Sequence, residues 1–222
     1  MQNINVIEVK EEILADNDKR AADIRERLHK QGVFMLNIMA SPGSGKTSLI
    51  VQTLRCLKGH SRAAVIEGDI DSSVDAEKIA QEEIPAIQLR TGGACHLDAF
   101  MIEKALNELD IDKLDLVIIE NIGNLVCPAE FDTGATKNAM ILSVPEGDDK
   151  PLKYPLMFTV CDALVVNKID YLDLSDFNMQ VFRERVRKLN PKIRIFEVSC
   201  KTGQGISDWV GWLKEQMAAK IG

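Results

Sequence analysis

Residues 34–50 read FMLNIMASPGSGKTSLI: an apolar run, a Gly/Ser-rich turn, and the start of a helical pattern. The turn, Gly43-Ser44-Gly45-Lys46-Thr47-Ser48, has the residue types of a phosphate cradle. Gly43 and Gly45 let the backbone turn its N–H groups toward an anion. Lys46 can bridge β and γ phosphates, and the Thr47 hydroxyl can sit on Mg²⁺. The N-terminus of the following helix adds positive potential. Ala40 stands where such loops usually carry their first glycine, and Pro42 removes one amide donor. The plain alternative is a chance Gly/Ser turn. A strand pattern before it and a helix pattern after it argue against that.

A phosphate loop alone does not choose between adenine and guanine. Residues 163–170 read ALVVNKID, so Asn167-Lys168-x-Asp170 closes a buried strand. Open α/β sheets place ligands at that end. A carboxylate at Asp170 can accept from both N1–H and the exocyclic amine of guanine, and adenine offers neither donor in that geometry. The stem of Lys168 can lie over the base. One strand later, Ser199-Cys200-Lys201 offers backbone for the guanine O6. Together these segments resemble the guanine-specificity loops of GTPases and predict GTP with Mg²⁺.

The magnesium carboxylate is sought at the ends of strands. LDLVIIE offers Asp115 and Glu120. Five strand residues span about 16 Å, so in a parallel sheet Asp115 falls at the edge away from the phosphate loop and Glu120 at the near edge. AAVIEGDIDSS closes on Glu67-Gly68-Asp69, which makes Asp69 a second candidate for Mg²⁺ or the attacking water. Asp71 and Asp75 read equally well as a solvated acidic turn. The expected catalytic set is Lys46, Thr47, Asp69 and Glu120.

A second chemistry is suggested by Ala94-Cys95-His96-Leu97 and by Val126-Cys127-Pro128, the latter following the Glu120 strand. Both segments open at one edge of a parallel sheet, so Cys95, His96 and Cys127 can meet. Two thiolates and an imidazole suit Zn²⁺ or Ni²⁺. Three donors are one short of a closed tetrahedral site, which leaves room for water or a ligand from a second copy. The alternative is two core cysteines and a capping histidine.

The elements that position these residues follow a rhythm. The runs VFMLNIM, AAVIE, AIQL, LDLVII, MILSV, ALVV and IRIFEV are apolar without clean alternation, as in strands buried on both faces. Most are followed by a loop and a helical pattern. The expected fold is α/β: a mostly parallel β-sheet flanked by helices on both faces, of the P-loop NTPase type. A charged helix with apolar residues at helical spacing (Val9, Ile13, Leu14, Ala21, Ile24, Leu28) precedes it and ends near Gly32. GISDWVGWLKEQMAAK reads as a closing amphipathic helix. No linker or repeat divides the 222 residues, so one domain is expected, with 1–32 a helical extension and 33–222 the GTPase core.

Composition narrows the function classes. A net charge of −7 argues against general nucleic-acid binding. No apolar run approaches a membrane span, and the first 20 residues lack a signal-peptide core, so a cytoplasmic location is expected. Five scattered cysteines do not make a disulfide framework.

The segment from Ser41 to Thr47, EGDIDSSVDAEKI, TGGACHLDAFMI, LDLVIIENIGNLVCPAEFD, LSVPEGDDKPLKYPLMF, VVNKID and SCKTGQGISDW together resemble the HypB family. The resemblance runs from about residue 33 to 214, and ACHLDA and ENIGNLVCPAEFD are its specific blocks. It implies the SIMIBI class of P-loop proteins, which commonly act as nucleotide-dependent homodimers. It also implies a GTPase that assists nickel insertion in [NiFe]-hydrogenase maturation, and Cys95, His96 and Cys127 match the family's metal residues. The implied partners are a second copy, a nickel-delivery accessory protein and the hydrogenase large subunit. Residues 1–32 lack the cysteine motif of some members, and the three histidines make no histidine-rich tract, so a storage role is not expected. Three rival readings remain. A urease-accessory GTPase would show Cys-Pro-His where this chain has Cys95-His96-Leu97. A metal-regulated GTP-binding module would have incidental hydrolysis. A P-loop ATPase with structural cysteines fits poorly with Asn167 to Asp170.

Overall fold

The computed structural model describes residues 9–69, 82 and 84–219. The seven apolar runs form β1 (Phe34–Ala40), β2 (Ala63–Asp69), β3 (Ala86–Arg90), β4 (Leu116–Gly123), β5 (Lys137–Ser143), β6 (Ala163–Asn167) and β7 (Arg194–Glu197). They make one sheet in the order β3-β2-β4-β1-β5-β6-β7. Every pairing among the described residues is parallel.

Helices cover both faces, which is why the strands read as nearly continuous apolar runs. On one face, α2 (Lys46–Leu57) and α8 (Ile206–Ala219) bury Leu49, Ile50, Trp209 and Leu213 against Leu36, Val65, Ile118 and Val165. The indole N–H of Trp209 donates to Thr53 Oγ1 at 2.9 Å, tying these two helices together. On the other face, α1 (Val9–Lys30) and α3 (Ala99–Asn107) pack Ala21, Ile24, Leu28, Ile102 and Leu106 on Met35, Ile66, Val117 and Ile119. Further along that face, after the short α5 (Lys150–Lys153), α6 (Pro155–Val160) and α7 (Met179–Leu189) bury Phe158 and Phe182 over Met140, Leu142, Leu164 and Val166.

The helical spacing in α1 predicts its buried stripe, but Ile13 lies outside that stripe at 53% exposed. A polar anchor adds to the stripe. Buried Asn17 donates to the Asp132 carbonyl and accepts from Ala99 N–H, each at 2.9 Å. No helix among the described residues is long and apolar enough to cross a membrane.

The register sets the two edges of the sheet. Glu67 pairs with Glu120, Ala40 with Gly123, and Ser143 with Asn167, so these strand ends share one edge. Asp115 lies at the opposite edge, where Arg62 donates to it from its backbone N–H and its guanidinium.

Candidate nucleotide and metal site

The phosphate loop leaves β1 at that shared edge and enters α2 at Lys46. Gly45 has φ +100, and a Cβ there would run into Asn167 Nδ2, so both conformation and space require glycine. Asn167 is 2% exposed and donates to the Ser44 carbonyl at 2.9 Å. Its Oδ1 accepts from Lys168 N–H and Cys200 N–H at 2.8 and 3.2 Å. One carboxamide thus joins the phosphate loop, the end of β6 and the Ser199–Lys201 loop. Lys168 has φ +61, an uncommon conformation for a residue with a side chain, and its ammonium donates to the Gly43 carbonyl at 2.8 Å. Ser199 Oγ donates to Asp170 Oδ1 at 2.6 Å. Gly45, Ser48, Asn167, Lys168, Asp170, Cys200 and Lys201 line one cavity of about 370 Å³, with Pro145 and Tyr171 completing it. Burial pushes the Cys200 thiol up to about 11, so at neutral pH it faces that cavity uncharged.

The first turn of α2 also meets the end of β4. Thr47 Oγ1 lies 2.7 Å from Glu120 Oε1, and Glu120 is 3% exposed. A hydroxyl and a carboxylate this close are the hard oxygen donors that suit Mg²⁺. Beside Glu120 lies Glu67, 2% exposed, a second carboxylate at this edge where the sequence pattern points to Asp69. Glu67 has the strand parity of Val65, which packs under α2, so its side chain faces the phosphate loop. Asp69 closes β2, but its side chain lies outside what the structure describes, as do Asp71 and Asp75. A Cβ on Gly123 would come within 3.0–3.2 Å of Pro42, so the phosphate loop rests directly on the chain leaving β4.

That chain leads to the sulfur and nitrogen donors. Cys127 opens a short helix, α4 (Cys127–Glu130), and Cys95 and His96 precede α3, which Asp98 caps by accepting from Met101 N–H at 2.8 Å. The Sγ atoms of Cys95 and Cys127 are 2.8 Å apart, and Cys95 Sγ is 3.8 Å from His96 Nδ1. The three donor atoms all lie within 4.8 Å of one another. The hydrogen bond with Cys127, then burial, holds the Cys95 thiol up, because two adjacent thiols resist ionising together without a cation. Burial lowers the His96 value, which favours the neutral, metal-binding imidazole. The donor set therefore fits a borderline or soft divalent ion. Cys161 is core, and Cys56 is exposed elsewhere.

A parallel sheet, a Gly-Lys-Thr loop entering a helix and a hydroxyl–carboxylate pair beneath it define a P-loop nucleotide-binding protein. The sequence pattern described as "CobW/HypB/UreG, nucleotide-binding domain" matches residues 34–197. The chain belongs to the HypB family of hydrogenase maturation factors. It is 43% identical over 216 residues to hydrogenase maturation factor HypB of Azotobacter chroococcum mcd 1, covering 97% of this chain and 71% of that one. Against the hydrogenase/urease maturation factor HypB of Helicobacter pylori strain J99 it is 42% identical, covering 95% and 88%. The crystal structure of Helicobacter pylori HypB in complex with nickel superposes with a TM-score of 0.87 at 41% identity, covering 92% of this chain and 96% of that one.

Proposed function

We propose that this chain binds and hydrolyses GTP to drive nickel insertion during [NiFe]-hydrogenase maturation. Its Cys95, His96 and Cys127 would hold the metal at a GTP-dependent dimer interface. The observation that carries this reading is that one segment serves both chemistries. The end of β4 presents Glu120 to Thr47, and the chain leaving it passes under Pro42 and delivers Cys127 to Cys95.

The phosphates lie on the backbone of Gly43, Ser44 and Gly45, with Lys46 across the β and γ groups. Ser48, in the first turn of α2, lines the cavity beside the loop. Asp170 reads guanine, steadied by Ser199, while Asn167 locks base and phosphate segments together and Cys200 and Lys201 flank the base. When Mg²⁺ is bound, Thr47 and Glu120 would hold it with Glu67 beside them, and the ion would supply charge neutralisation for phosphoryl transfer. Asp69 is the proposed orienter of the attacking water.

The mechanical link runs from the γ-phosphate through the Pro42–Gly123 contact into the Cys127 segment. Three donors per chain leave a coordination position for water or a second copy, and isologous pairing brings two trios together. By reciprocity, metal must then change the affinity between subunits. Nickel is cargo here, and Zn²⁺ competes for the same donors. The proposed partners are an accessory protein that supplies the metal and the hydrogenase large subunit that receives it.

A second reading, a metal-regulated GTP-binding module with incidental hydrolysis, keeps every residue role but uncouples turnover from transfer. The test is nickel transfer from the loaded chain to metal-free hydrogenase large subunit. Transfer with GTP but not with a non-hydrolysable analogue supports the proposal. Equal transfer with both supports the second reading.

A further inference from the structure

The residues on either side of His96 are both hydrogen-bonded to asparagines of the segment that follows Glu120. Asn124 Nδ2 donates to the Cys95 carbonyl at 3.2 Å, and Asn121 Oδ1 accepts from Leu97 N–H at 3.2 Å. The ring of Phe131, from the same segment, stacks on the His96 imidazole with centroids 3.8 Å apart and planes 22° apart. The metal loop before α3 is therefore gripped at Cys95, His96 and Leu97 in turn, each time by the stretch of chain that also carries Cys127.

Backbone partners fix the orientation of both carboxamides. Asn124 Oδ1 accepts from Val126 N–H at 2.9 Å, which leaves its Nδ2 for Cys95. Asn121 Oδ1 also accepts from Ile122 N–H at 2.9 Å, which turns its Nδ2 toward Asn37 Oδ1 at 3.1 Å. Asn37 in turn donates to Asn138 Oδ1 at 3.1 Å. A row of carboxamides thus crosses β5, β1 and β4 and ends on the metal loop. Asn37 and Asn121 are 1% and 0% exposed, so a missing partner in the row would leave a buried polar group unsatisfied. Asn121 directly follows Glu120, and consecutive strand residues face opposite sides of the sheet. Glu120 faces the phosphate loop, and Asn121 faces the metal loop.

We infer that Asn121, Asn124 and Phe131 are positioning residues for the Cys95–His96–Cys127 trio. None of them donates to metal. They make the Cys95–His96 loop a rigid extension of β4, so the three donors keep their spacing before a cation arrives and the His96 ring cannot swing out. Partners of this kind around metal ligands are typically worth about tenfold to a hundredfold in affinity. The inference rests on the trio being the metal site and does not depend on which nucleotide binds.

The test is titration of the metal-free full chain with Ni²⁺ alone, without nucleotide, followed by thiolate-to-metal charge-transfer absorption. Binding of a GTP analogue is measured in parallel. Asn124→Ala, Phe131→Ala and Asn121→Ala should each weaken Ni²⁺ binding by about tenfold to a hundredfold and alter the absorption band. Affinity for the GTP analogue should stay within about threefold of wild type. Asn121→Asp keeps the acceptor for Leu97 and Ile122, and if Asn37 and the half-buried Asn138 both turn their amides over, Asn37 donates to the new carboxylate and Asn138 donates to Asn37, so this variant should restore Ni²⁺ binding. Wild-type affinity and spectrum in all three alanine variants would overturn the assignment. So would an equal loss of Ni²⁺ and nucleotide affinity, which marks general damage. If Asn121→Ala does not fold, Asn124→Ala and Phe131→Ala decide, since both residues are only half-buried. Failure of the wild type itself to take up Ni²⁺ would remove the trio as the metal site, and the positioning role with it.

Discussion

The hydroxyl of Thr47 lies 2.7 Å from Oε1 of Glu120, joining the first turn of α2 to the end of β4. If this pair holds Mg²⁺, Thr47→Ala and Glu120→Gln should each lower GTP hydrolysis by about a hundredfold or more. GTP binding measured in chelator should survive, because the phosphate-loop backbone and the base contacts are untouched. Wild-type turnover in either variant contradicts the assignment. Unstimulated wild-type turnover should itself be slow, since no arginine stands in the phosphate loop to act as a finger in cis.

Asp170 lines the cavity of about 370 Å³ proposed for the base, with Ser199 Oγ bonded to one carboxylate oxygen at 2.6 Å. Asp170→Asn replaces an acceptor with a donor, so it should weaken GTP by orders of magnitude and improve xanthosine triphosphate. Competition binding with GTP, xanthosine triphosphate and ATP checks this. ATP competing with the wild type as well as GTP does would remove guanine as the ligand.

Gly45→Ala should abolish nucleotide binding while leaving the protein folded. The new methyl meets Asn167 Nδ2, at a backbone conformation that favours glycine. Asn167 would have to leave Ser44 and Cys200 together. Calorimetric GTP titration reads the loss, and circular dichroism reads the fold. Retained binding would mean that the Asn167 junction is dispensable.

At the other sheet edge, the hydrogen bonds and charge of Arg62 hold the Asp115 carboxyl below the ordinary carboxylate range. A depressed carboxyl contributes stability that is complete above its unfolded pKa and is lost as pH falls through the lower folded value. Asp115→Asn should therefore lower the denaturation midpoint slightly at neutral pH, and the gap from wild type should close below about pH 4. The effect should be small because the pair is exposed and screened by salt. A gap that widens on acidification would contradict this, and GTP hydrolysis should not change at all.

Much of this arrangement is legible in the sequence because it rests on local signals. Strands buried on both faces leave apolar runs, and all seven runs became strands. Gly45-Lys46-Thr47, Asn167-Lys168-x-Asp170 and the Cys-His pair at 95 and 96 carry their chemistry in consecutive residues. Asp115 and Glu120 are separated to opposite edges by the strand rise and parallel pairing alone. The remainder depends on long-range partners. Asn37 and Asn121 look like interruptions in apolar runs until strand order brings them together across 84 residues of chain. Asn17 bonds the Asp132 carbonyl, 115 residues away, and no periodicity reveals it. Glu67 was readable in principle, since it shares parity with Val65, but only once the face covered by α2 is known. Phe131 gives no local sign that its ring lies on His96.

In the proposed function, GTP and metal act together at an interface between two copies of this chain. Sedimentation velocity of the wild type and Cys95→Ala, each with and without a non-hydrolysable GTP analogue and Ni²⁺ or Zn²⁺, tests it directly. The wild type should sediment as a dimer with analogue and metal present and shift toward monomer when metal is chelated or GDP replaces the analogue. Cys95→Ala should lose the metal-dependent part of that shift while still binding analogue. If both proteins stay monomeric under every condition, the interfacial account is wrong, and the trio is a site within one chain or merely core.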